Sequence, residues 1–346
     1  MKEGKLDWKV LKQLIAHQGY KNEGIIMGAR PGCDTAVIKP KEAARRAQEY
    51  YQSKEEPYLV FKTDPITFPT NSPGKYAVIV NANDVVTAGA LPFGFNATII
   101  VPPDSAPIDV IKIQEGIHNE CLKNKITVLG GHTEVSSSVT TPIVSGAMFG
   151  YVPRDYYVTR EIEEGDIMLC VGWCAKEGVG IIASEGYEEL VEVMETEALN
   201  KLMELGNDIS VVETALELNK KYQPSLLHDA TEGGVMAAAY EAIAVENYGL
   251  TLSSKEFPIT KETNELCKML GISPLKLISS GTLLVVAPEE KANEIMKETT
   301  KEQPIRKVGI ITEEEKGLKI DGEEVPPPQP DALIQALKRV EKKEFE

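Results

Sequence analysis

The sequence predicts an α/β protein of two domains, and three observations lead to this prediction. The chain has 346 residues, more than the roughly 250–300 residues that one hydrophobic core usually supports. Strand-like apolar runs alternate with amphipathic helical segments, the pattern of an α/β fold. Acidic motifs lie at the ends of several apolar runs, where loops can hold ligands. We place the boundary near Pro153, between an N-terminal domain of residues 1–153 and a C-terminal domain of residues 154–346.

The elements of the first domain follow from hydrophobic periodicity and from turn residues. Apolar residues three or four positions apart predict helices, and short apolar runs that stop at Asp, Gly or Pro predict strands. The charged residues 43–56 favour a solvated helix or loop over a functional patch, and they are the one candidate for a disordered tract. In chain order, helices are predicted at 1–20, 75–89 and 108–124, and strands at 58–63, 95–101, 126–129 and 143–152.

The second domain is predicted from the same signals. A turn at Glu164-Gly165-Asp166 precedes an apolar strand, and the proline-rich segment Pro326–Pro330 is a stiff spacer before a final charged helix. Small apolar residues after Gly233 predict a buried helix. The predicted strands are 167–171, 283–287, 307–311 and 318–320, and the predicted helices are 178–185, 198–205, 211–222, 235–244, 289–301 and 331–343.

Composition limits the kinds of partner. The chain has 53 acidic residues against 37 Lys and Arg, a net charge of −16, which argues against nucleic acid or an anionic membrane as a partner. An acidic enzyme that handles phosphates would need metal ions to offset the repulsion. No apolar stretch approaches the ~18 residues of a membrane span, and the N-terminal helix lacks the apolar segment of a signal peptide. Five cysteines beside apolar runs indicate reduced thiols, so we predict a cytoplasmic protein.

Acidic residues next to apolar segments are the most informative feature of the chain. Charges in such places are usually paired or bind a cation, and several of these acids stand beside glycines that allow close backbone approach. Hard cations such as Mg²⁺ or Mn²⁺ prefer carboxylate and amide oxygens, with water and substrate phosphate. The alternative is that the acids cap turns and helices. The predicted metal ligands are Asp34, Asp64, Asp84, Glu134, Asp229 and Glu232.

Other residues of the same motifs are assigned to catalysis and to cofactor binding. Asn81 and Asp84 are three apart on a predicted helix, so both can face one ligand. His132 stands among the acids and is a candidate for a site role, whereas His228 is expected to make a structural hydrogen bond. The Gly233-Gly234 pair could offer backbone N–H groups to an anion. The predicted catalytic residues are Asp84, His132 and Asp229, and the predicted cofactor contacts are Asn83, Gly130, Gly131 and Thr133.

Taken in order, these motifs resemble the aminoimidazole-ribonucleotide synthetase (PurM-like) superfamily, over about residues 28–308. The similarity is most specific at 83–92, and the run 257–284 is most similar to the hydrogenase-maturation carbamoyl dehydratase branch. The motifs that carry the resemblance are Asp34-Thr35-Ala36-Val37, Thr63-Asp64, Asn83-Asp84-Val85-Val86-Thr87-Ala88-Gly89-Ala90-Leu91-Pro92, Gly130-Gly131-His132-Thr133-Glu134 and His228-Asp229-Ala230-Thr231-Glu232-Gly233-Gly234.

The resemblance implies an N-terminal domain with a four-stranded sheet and flanking helices, and a larger C-terminal α/β domain. It also implies a homodimer whose N-terminal sheets join into a barrel, with ATP and divalent metals near the dimer interface. By position, Asp34, Asp64 and Asp84 would belong to the metal or phosphate site, with Glu134 and Asp229 close by.

Two departures from the family shape the functional prediction. The carbamoyl dehydratase ends in a reactive Cys motif, whereas this sequence ends in residues 342–346 without one, so that reaction is not expected. Glu232 stands where the related motif usually carries Arg. We therefore favour a metal-dependent phosphatase that hydrolyses a small phosphate ester or anhydride. The alternatives are an ATP-dependent synthetase or kinase that phosphorylates a small-molecule oxygen, and a non-catalytic nucleotide-binding maturation factor.

Overall fold

A computed structural model of the protein describes residues 1–67, 70–244, 248–313 and 317–345. The chain divides into two compact units, Met1–Tyr157 (unit 1) and Val158–Glu346 (unit 2). Glu346, the last residue of the C-terminal segment discussed above, lies outside the described residues.

Unit 1 is built on one mixed sheet whose strand order is β1-β6-β5-β7-β4. All neighbouring strands are antiparallel except β5 and β6, which are parallel. The elements are β1 (Gly4–Lys5), α1 (Trp8–Ala16), β2 (Ile25–Met27), β3 (Val37–Ile38), α2 (Pro40–Tyr51), β4 (Pro57–Ile66), α3 (Pro73–Thr87), β5 (Leu91–Val101), α4 (Pro107–Lys123), β6 (Thr127–Val135) and β7 (Ile143–Pro153).

The four long strands of this sheet are those that the sequence predicts, and the α/β class of the unit is confirmed. The two-residue strand β1 adds a fifth, which pairs with the end of β6 through Gly4 and Val135. Helix α3 packs on one face of the sheet with almost every apolar side chain buried. The buried residues of α3 include Ala77, Val78, Ala82, Val85 and Val86.

Strands β4 and β6 continue past their predicted ends, and both extensions contain candidate site residues. Strand β4 continues through Asp64 to Ile66, although Pro65 follows Asp64. Because β4 is an edge strand, Pro65 removes no hydrogen bond from the interior of the sheet. Strand β6 continues through all of Gly130–Glu134, which the sequence places in a loop after the strand. Two glycines interrupt the apolar pattern there, but pairing with β5 keeps the backbone extended.

Unit 2 contains a seven-stranded sheet with the order β14-β13-β10-β12-β8-β11-β9. Short 3-10 helices cover Ser254–Glu256 and Pro274–Lys276 in this unit, and Arg154–Tyr156 in unit 1. The elements are β8 (Ile167–Val171), α5 (Lys176–Glu185), α6 (Tyr187–Leu190), α7 (Thr196–Asn207), α8 (Val212–Tyr222), β9 (Leu226–Ala230), α9 (Gly234–Ala244), β10 (Gly249–Leu252), α10 (Lys261–Met269), β11 (Thr282–Ala287), α11 (Glu289–Met296), β12 (Ile305–Thr312), β13 (Gly317–Ile320), β14 (Glu323–Val325) and α12 (Leu333–Glu341).

Strand β9 was not predicted, and it changes the setting of the motif from His228 to Gly234. Asp229 lies on β9, opposite Leu283 of β11, and is not part of the helix opening. The strand is only five residues long, and the polar residues His228 and Asp229 interrupt it, so its apolar run is too short to recognise. The small-residue helix α9 packs in the core between this sheet and the last part of the chain, as the sequence predicts.

Two chain-wide features bear on the composition argument. The longest described helix, α4, has 17 residues, and none of the described helices combines the length and apolar character needed to cross a membrane. The five cysteines are free thiols, and Cys33 alone of the five is partly exposed.

Candidate active site

Two of the predicted metal ligands, Asp64 and Asp84, meet at one ammonium group. Lys62 Nζ lies 3.8 Å from Asp64 Oδ2 and 3.2 Å from Asp84 Oδ2. Lys62 and Asp64 are two apart on β4 and share a face of the strand, and α3 places Asp84 against that face. The side chains of Lys62, Asp64 and Asp84 are 41%, 43% and 21% exposed. The fold therefore brings two carboxylates to one cation at a solvent-accessible edge of the sheet.

Hydrogen bonds to the backbone hold both acids in place. Asn81 Nδ2 donates to the carbonyl of Asp64 at 3.0 Å, which ties α3 to β4. Thr87 Oγ1 donates to the carbonyl of Asp84 at 2.7 Å. Asn81 is fully buried, and its Oδ1 has no hydrogen-bond partner among the described residues. Asn81 thus positions the acids and also keeps one amide oxygen available on the face of α3 that carries Asp84.

The pair of Asp64 and Asp84 fits a hard cation whose remaining ligands are water and substrate phosphate. The part of the chain that the structure describes holds no group of three or more His, Cys, Asp or Glu side chains that could enclose a metal. Mg²⁺ is usually bound through one or two carboxylates plus water and substrate phosphate, so a pair of acids suffices. The donor set of Asp64 and Asp84 fits Mg²⁺ or Mn²⁺ that arrives with a phosphorylated ligand.

Glu134 and His132 lie elsewhere on the same sheet. Their side chains are 3.1 Å apart, from His132 Nε2 to Glu134 Oε2, and both are largely exposed. The register across the sheet aligns Asp64, Gly146, Ala97 and Gly131. Since Gly131 shares a face with Asp64, the neighbouring His132 points to the opposite face, three strand spacings or about 14 Å away.

In a single copy of unit 1, Glu134 therefore lies apart from Asp64 and Asp84, and a metal site shared by the three stays a prediction. The alternation of side chains along β6 sends Glu134 to the other face of the sheet. The sequence could not reveal this because it predicts a loop at Gly130–Glu134, and a loop has no fixed alternation.

A groove of about 730 Å³ lies over the sheet of unit 1, beside α1. Asp34 reaches it from the loop before β3, and His132 reaches it from β6. Arg30 adds a cation, and its Nε donates to Cys33 Sγ at 3.0 Å. Apolar residues form the rest of the wall, among them Leu11, Leu14, Val128, Leu129 and Phe149. A volume of this size suits a nucleotide or another small molecule.

The predicted cofactor contacts divide between this groove and the protein core. Gly130, Gly131 and Thr133 line the groove. Asn83 is fully buried on α3 and does not line it. The helical period turns Asn83 into the core while it turns Asp84 outward, so the predicted contact between Asn83 and a cofactor stays a prediction that this buried position does not favour.

In unit 2, Asp229 and Glu232 differ in their surroundings. Asp229 is 4% exposed on β9, whereas Glu232 is exposed in the turn before α9. The two residues belong to a strand and to a turn, and their roles as metal ligands stay predictions. His228 Nε2 lies 3.0 Å from Glu241 Oε2, which is the structural hydrogen bond expected for it.

The Gly233-Gly234 pair serves packing and not anion binding. Gly233 N–H donates to Asp331 Oδ2 at 2.7 Å and Gly234 N–H donates to the carbonyl of Thr231 at 3.0 Å. Gly234 has φ +66°, and a Cβ there would lie 2.5 Å from the carbonyl oxygen of Leu275. Both N–H groups are thus used inside the unit, and only glycine fits at Gly234.

Sequence reasoning missed two carboxyl groups around this turn, Glu177 and Asp331. Burial raises the pKa of Asp331, although the N–H groups of Leu333 and Gly233 oppose the rise. Burial also raises the pKa of Glu177, and the nearby carboxylates of Asp331 and Glu232 raise it further. Hydrogen bonds from Ser280 oppose this rise. The only signal in the sequence was that Glu177 stands beside the predicted helix start at 178. Nothing in the sequence connects Glu177 with Asp331, about 150 positions later.

Family models match most of the chain. The model "AIR synthase related protein, N-terminal domain" covers residues 32–152. The model "AIR synthase related protein, C-terminal domain" covers residues 163–321. One model lies within each unit, and together they include every predicted site residue.

Curated relatives are similar over about three quarters of the chain. A putative hydrogenase expression/formation protein of Methanocaldococcus jannaschii is 29% identical over 275 residues, which are 76% of this chain and 78% of the relative. The carbamoyl dehydratase HypE of Escherichia coli is 27% identical over 278 residues, which are 76% of this chain and 79% of the relative.

Solved structures share the fold at lower identity. HypE of E. coli superimposes with a TM-score of 0.77 at 19% identity, over 96% of this chain and 100% of that structure. A thiamine-monophosphate kinase from Stenotrophomonas maltophilia gives a TM-score of 0.70 at 17% identity, over 94% and 100%. A hydrogenase maturation protein HypE in complex with ATP gives 0.65 at 16% identity, over 82% and 93%.

Proposed function

The chain belongs to the AIR synthase related protein family, and on that basis we propose that it is an ATP-dependent enzyme that transfers a phosphoryl group to an oxygen atom of a small molecule. The relatives support this reaction class: one is a carbamoyl dehydratase, one is a thiamine-monophosphate kinase, and one structure is a complex with ATP. None of the three is a phosphatase. The ATP-dependent alternative therefore replaces the phosphatase that the sequence alone favours.

The meeting of Asp64 and Asp84 at the Lys62 ammonium is the observation that carries the proposal. Phosphoryl transfer needs little covalent chemistry from the protein, mainly positioning and charge neutralisation. Asp64 and Asp84 would hold Mg²⁺ or Mn²⁺, and Asn81 keeps both at a fixed separation. When bound, the metal supplies neutralisation of the charge on the phosphoryl group. A net charge of −16 makes such neutralisation necessary for a polyphosphate to approach.

We assign the nucleotide or its acceptor to the groove beside α1. Gly130, Gly131 and Thr133 form part of its wall, and Asp34 contributes a further carboxylate. His132, whose Nε2 lies 3.1 Å from Glu134 Oε2, lines the same groove and stays a candidate catalytic residue. In unit 2, Asp229 stays a candidate for catalysis and for metal binding, and Glu232 stays a candidate for metal binding.

The reaction class can be tested by following ATP and its products with ³¹P NMR. The protein is incubated with Mg²⁺ and ATP, alone and with a panel of carboxylates, amides and phosphate monoesters. We expect ADP to form faster with one acceptor class, together with the phosphorylated acceptor, or with its dehydrated product and inorganic phosphate. Hydrolysis of the monoesters without ATP would contradict the proposal and restore the phosphatase. Tight nucleotide binding without turnover would indicate a maturation factor.

A homodimer is part of the proposal. Strand β4 is a sheet edge and exposes large apolar side chains, of which Leu59 is 59% and Phe61 58% exposed. An edge of this kind is usually covered by another chain or protected by charges. A second copy of unit 1 would cover it with an apolar surface. Light scattering at micromolar concentration should give twice the chain mass of 37.9 kDa. A well-folded monomer would contradict the dimer without affecting the reaction class.

A further inference from the structure

Lys62 occupies the place between two carboxylates where a metal ion would have to bind. Its Nζ is 3.2 Å from Asp84 Oδ2 and 3.8 Å from Asp64 Oδ2. An ammonium and a divalent cation cannot share this position, because each needs the same carboxylate oxygens and the two repel each other. The ammonium must move before a metal can bind between Asp64 and Asp84.

The surroundings of Lys62 allow that movement. The side chain is 41% exposed on an edge strand, and its long flexible stem can place the ammonium in several positions. An exposed ion pair is worth only about 0–1 kcal/mol, so leaving it costs little. The backbones of Asp64 and Asp84, in contrast, are held by Asn81 and Thr87. The backbone at the two acids is thus fixed, whereas the lysine ammonium can change its position by rotation of the side chain.

We propose that Lys62 is a resident counter-cation of the Asp64–Asp84 pair, which a divalent metal displaces and which then faces the phosphates of the nucleotide. In the metal-free protein the ammonium neutralises two carboxylates that would otherwise repel each other. After displacement the ammonium stands beside the metal, where a polyphosphate presents negative oxygens. Lys62 is thus a positioning residue that couples metal binding to nucleotide binding. This inference rests on the proposed function for the nature of metal and nucleotide.

Two measurements on the full-length protein test the proposal, with Mn²⁺ as the probe. Electron paramagnetic resonance gives the free Mn²⁺ concentration, first without nucleotide and then with a non-hydrolysable ATP analogue. The variants are Lys62→Met, which keeps the length of the stem, and Lys62→Arg, which keeps the charge. Lys112→Met on α4 is the matched control, because it removes the same charge from an exposed site in the same unit.

Without nucleotide, Lys62→Met should bind Mn²⁺ roughly three- to tenfold more tightly than the wild type, because the competing ammonium is gone. Lys62→Arg and Lys112→Met should stay within about twofold of the wild type. With the analogue present, the gain in Mn²⁺ affinity should be smaller in Lys62→Met than in the wild type. Unchanged or weaker Mn²⁺ binding in Lys62→Met would overturn the proposal, and so would an equal gain in both proteins.

A purely structural role for Lys62 predicts a different result, namely a lower melting temperature and no change in Mn²⁺ affinity. The test also separates this inference from the proposed function. If the wild type does not turn over ATP but Lys62→Met binds Mn²⁺ more tightly, the enzyme class fails while the counter-cation role stands. If turnover is present and the affinity shift is absent, Lys62 has no such role and the enzyme class stands.

Discussion

The two units place carboxyl groups in opposite environments. In unit 1, Asp64 and Asp84 stand at an accessible sheet edge and share the ammonium of Lys62. In unit 2, Glu177 and Asp331 are half-buried and are held by hydroxyl and backbone N–H groups instead of a cation. Carboxylates that are neutralised by a lysine ammonium at the surface can exchange that ammonium for a metal ion. Carboxylates that accept hydrogen bonds from backbone N–H groups are instead part of the folded structure.

This difference separates binding from stability. Removing an acid from the first pair should change what the protein binds and leave its folding almost intact. Removing an acid from the second group should change folding first, because it leaves backbone N–H groups without acceptors. Three variants test this distinction between binding and stability. It would be weakened if a variant expected to change binding changed stability instead, or the reverse.

Asp84→Asn should have the largest effect. The variant keeps the shape of the side chain and removes the charge that the metal needs, so we expect a roughly 100-fold loss of ATP-dependent turnover with much weaker Mn²⁺ binding. The free energy of unfolding should change by less than about 0.5 kcal/mol, since the side chain is not in the core. Calorimetric metal titration and thermal melting measure the two properties. Asp104→Asn, on an exposed loop of the same unit, is the control, and unchanged Mn²⁺ affinity in Asp84→Asn would refute the assignment.

Asp331→Ala should have the next largest effect, on stability. Asp331 Oδ2 accepts from Gly233 N–H at 2.7 Å, and Oδ1 accepts from Leu333 N–H at 2.8 Å. Loss of these bonds should lower the free energy of unfolding by about 2–3 kcal/mol. Denaturant unfolding checks the value, and Asp331→Asn, which keeps one acceptor oxygen, should lose less. An unaltered transition midpoint would show that the link between the glycine turn and α12 does not stabilise unit 2.

Glu177→Gln should have the smallest effect, and its sign depends on pH. Because burial raises the pKa of Glu177 above its ordinary value of 4.5, its favourable contribution is present below that value and is lost as pH rises through the folded pKa. The neutral amide avoids this loss. The variant should therefore gain about 1 kcal/mol over the wild type near pH 8 and little or nothing near pH 4.

Thermal melts at several pH values measure this difference, with Glu185→Gln at the exposed end of α5 as the control. A gain that does not vary with pH would exclude ionisation of Glu177 as its source.

Local pattern was sufficient for most of the long elements. Helices α3 and α4 and strands β5, β7 and β8 appear within a few residues of their predicted bounds, because apolar spacing directly reports which face is buried. The apolar pattern did not predict the strands where polar or glycine residues continue them. Gly130–Glu134 lies on β6 and His228-Asp229 lies on β9, since pairing with neighbouring strands decides the backbone at such places and no local signal records it.

The sequence by itself determined the α/β class, the family and the acidic motifs, because these depend on residue type and order along the chain. Only the tertiary structure decided which acids meet. Asp64 and Asp84 converge on Lys62 because an edge strand and the helix after it pack against each other. Glu134 is excluded from them because the strand register turns it to the other face. Register and packing join residues distant in sequence, and a shift of one position would reverse the outcome.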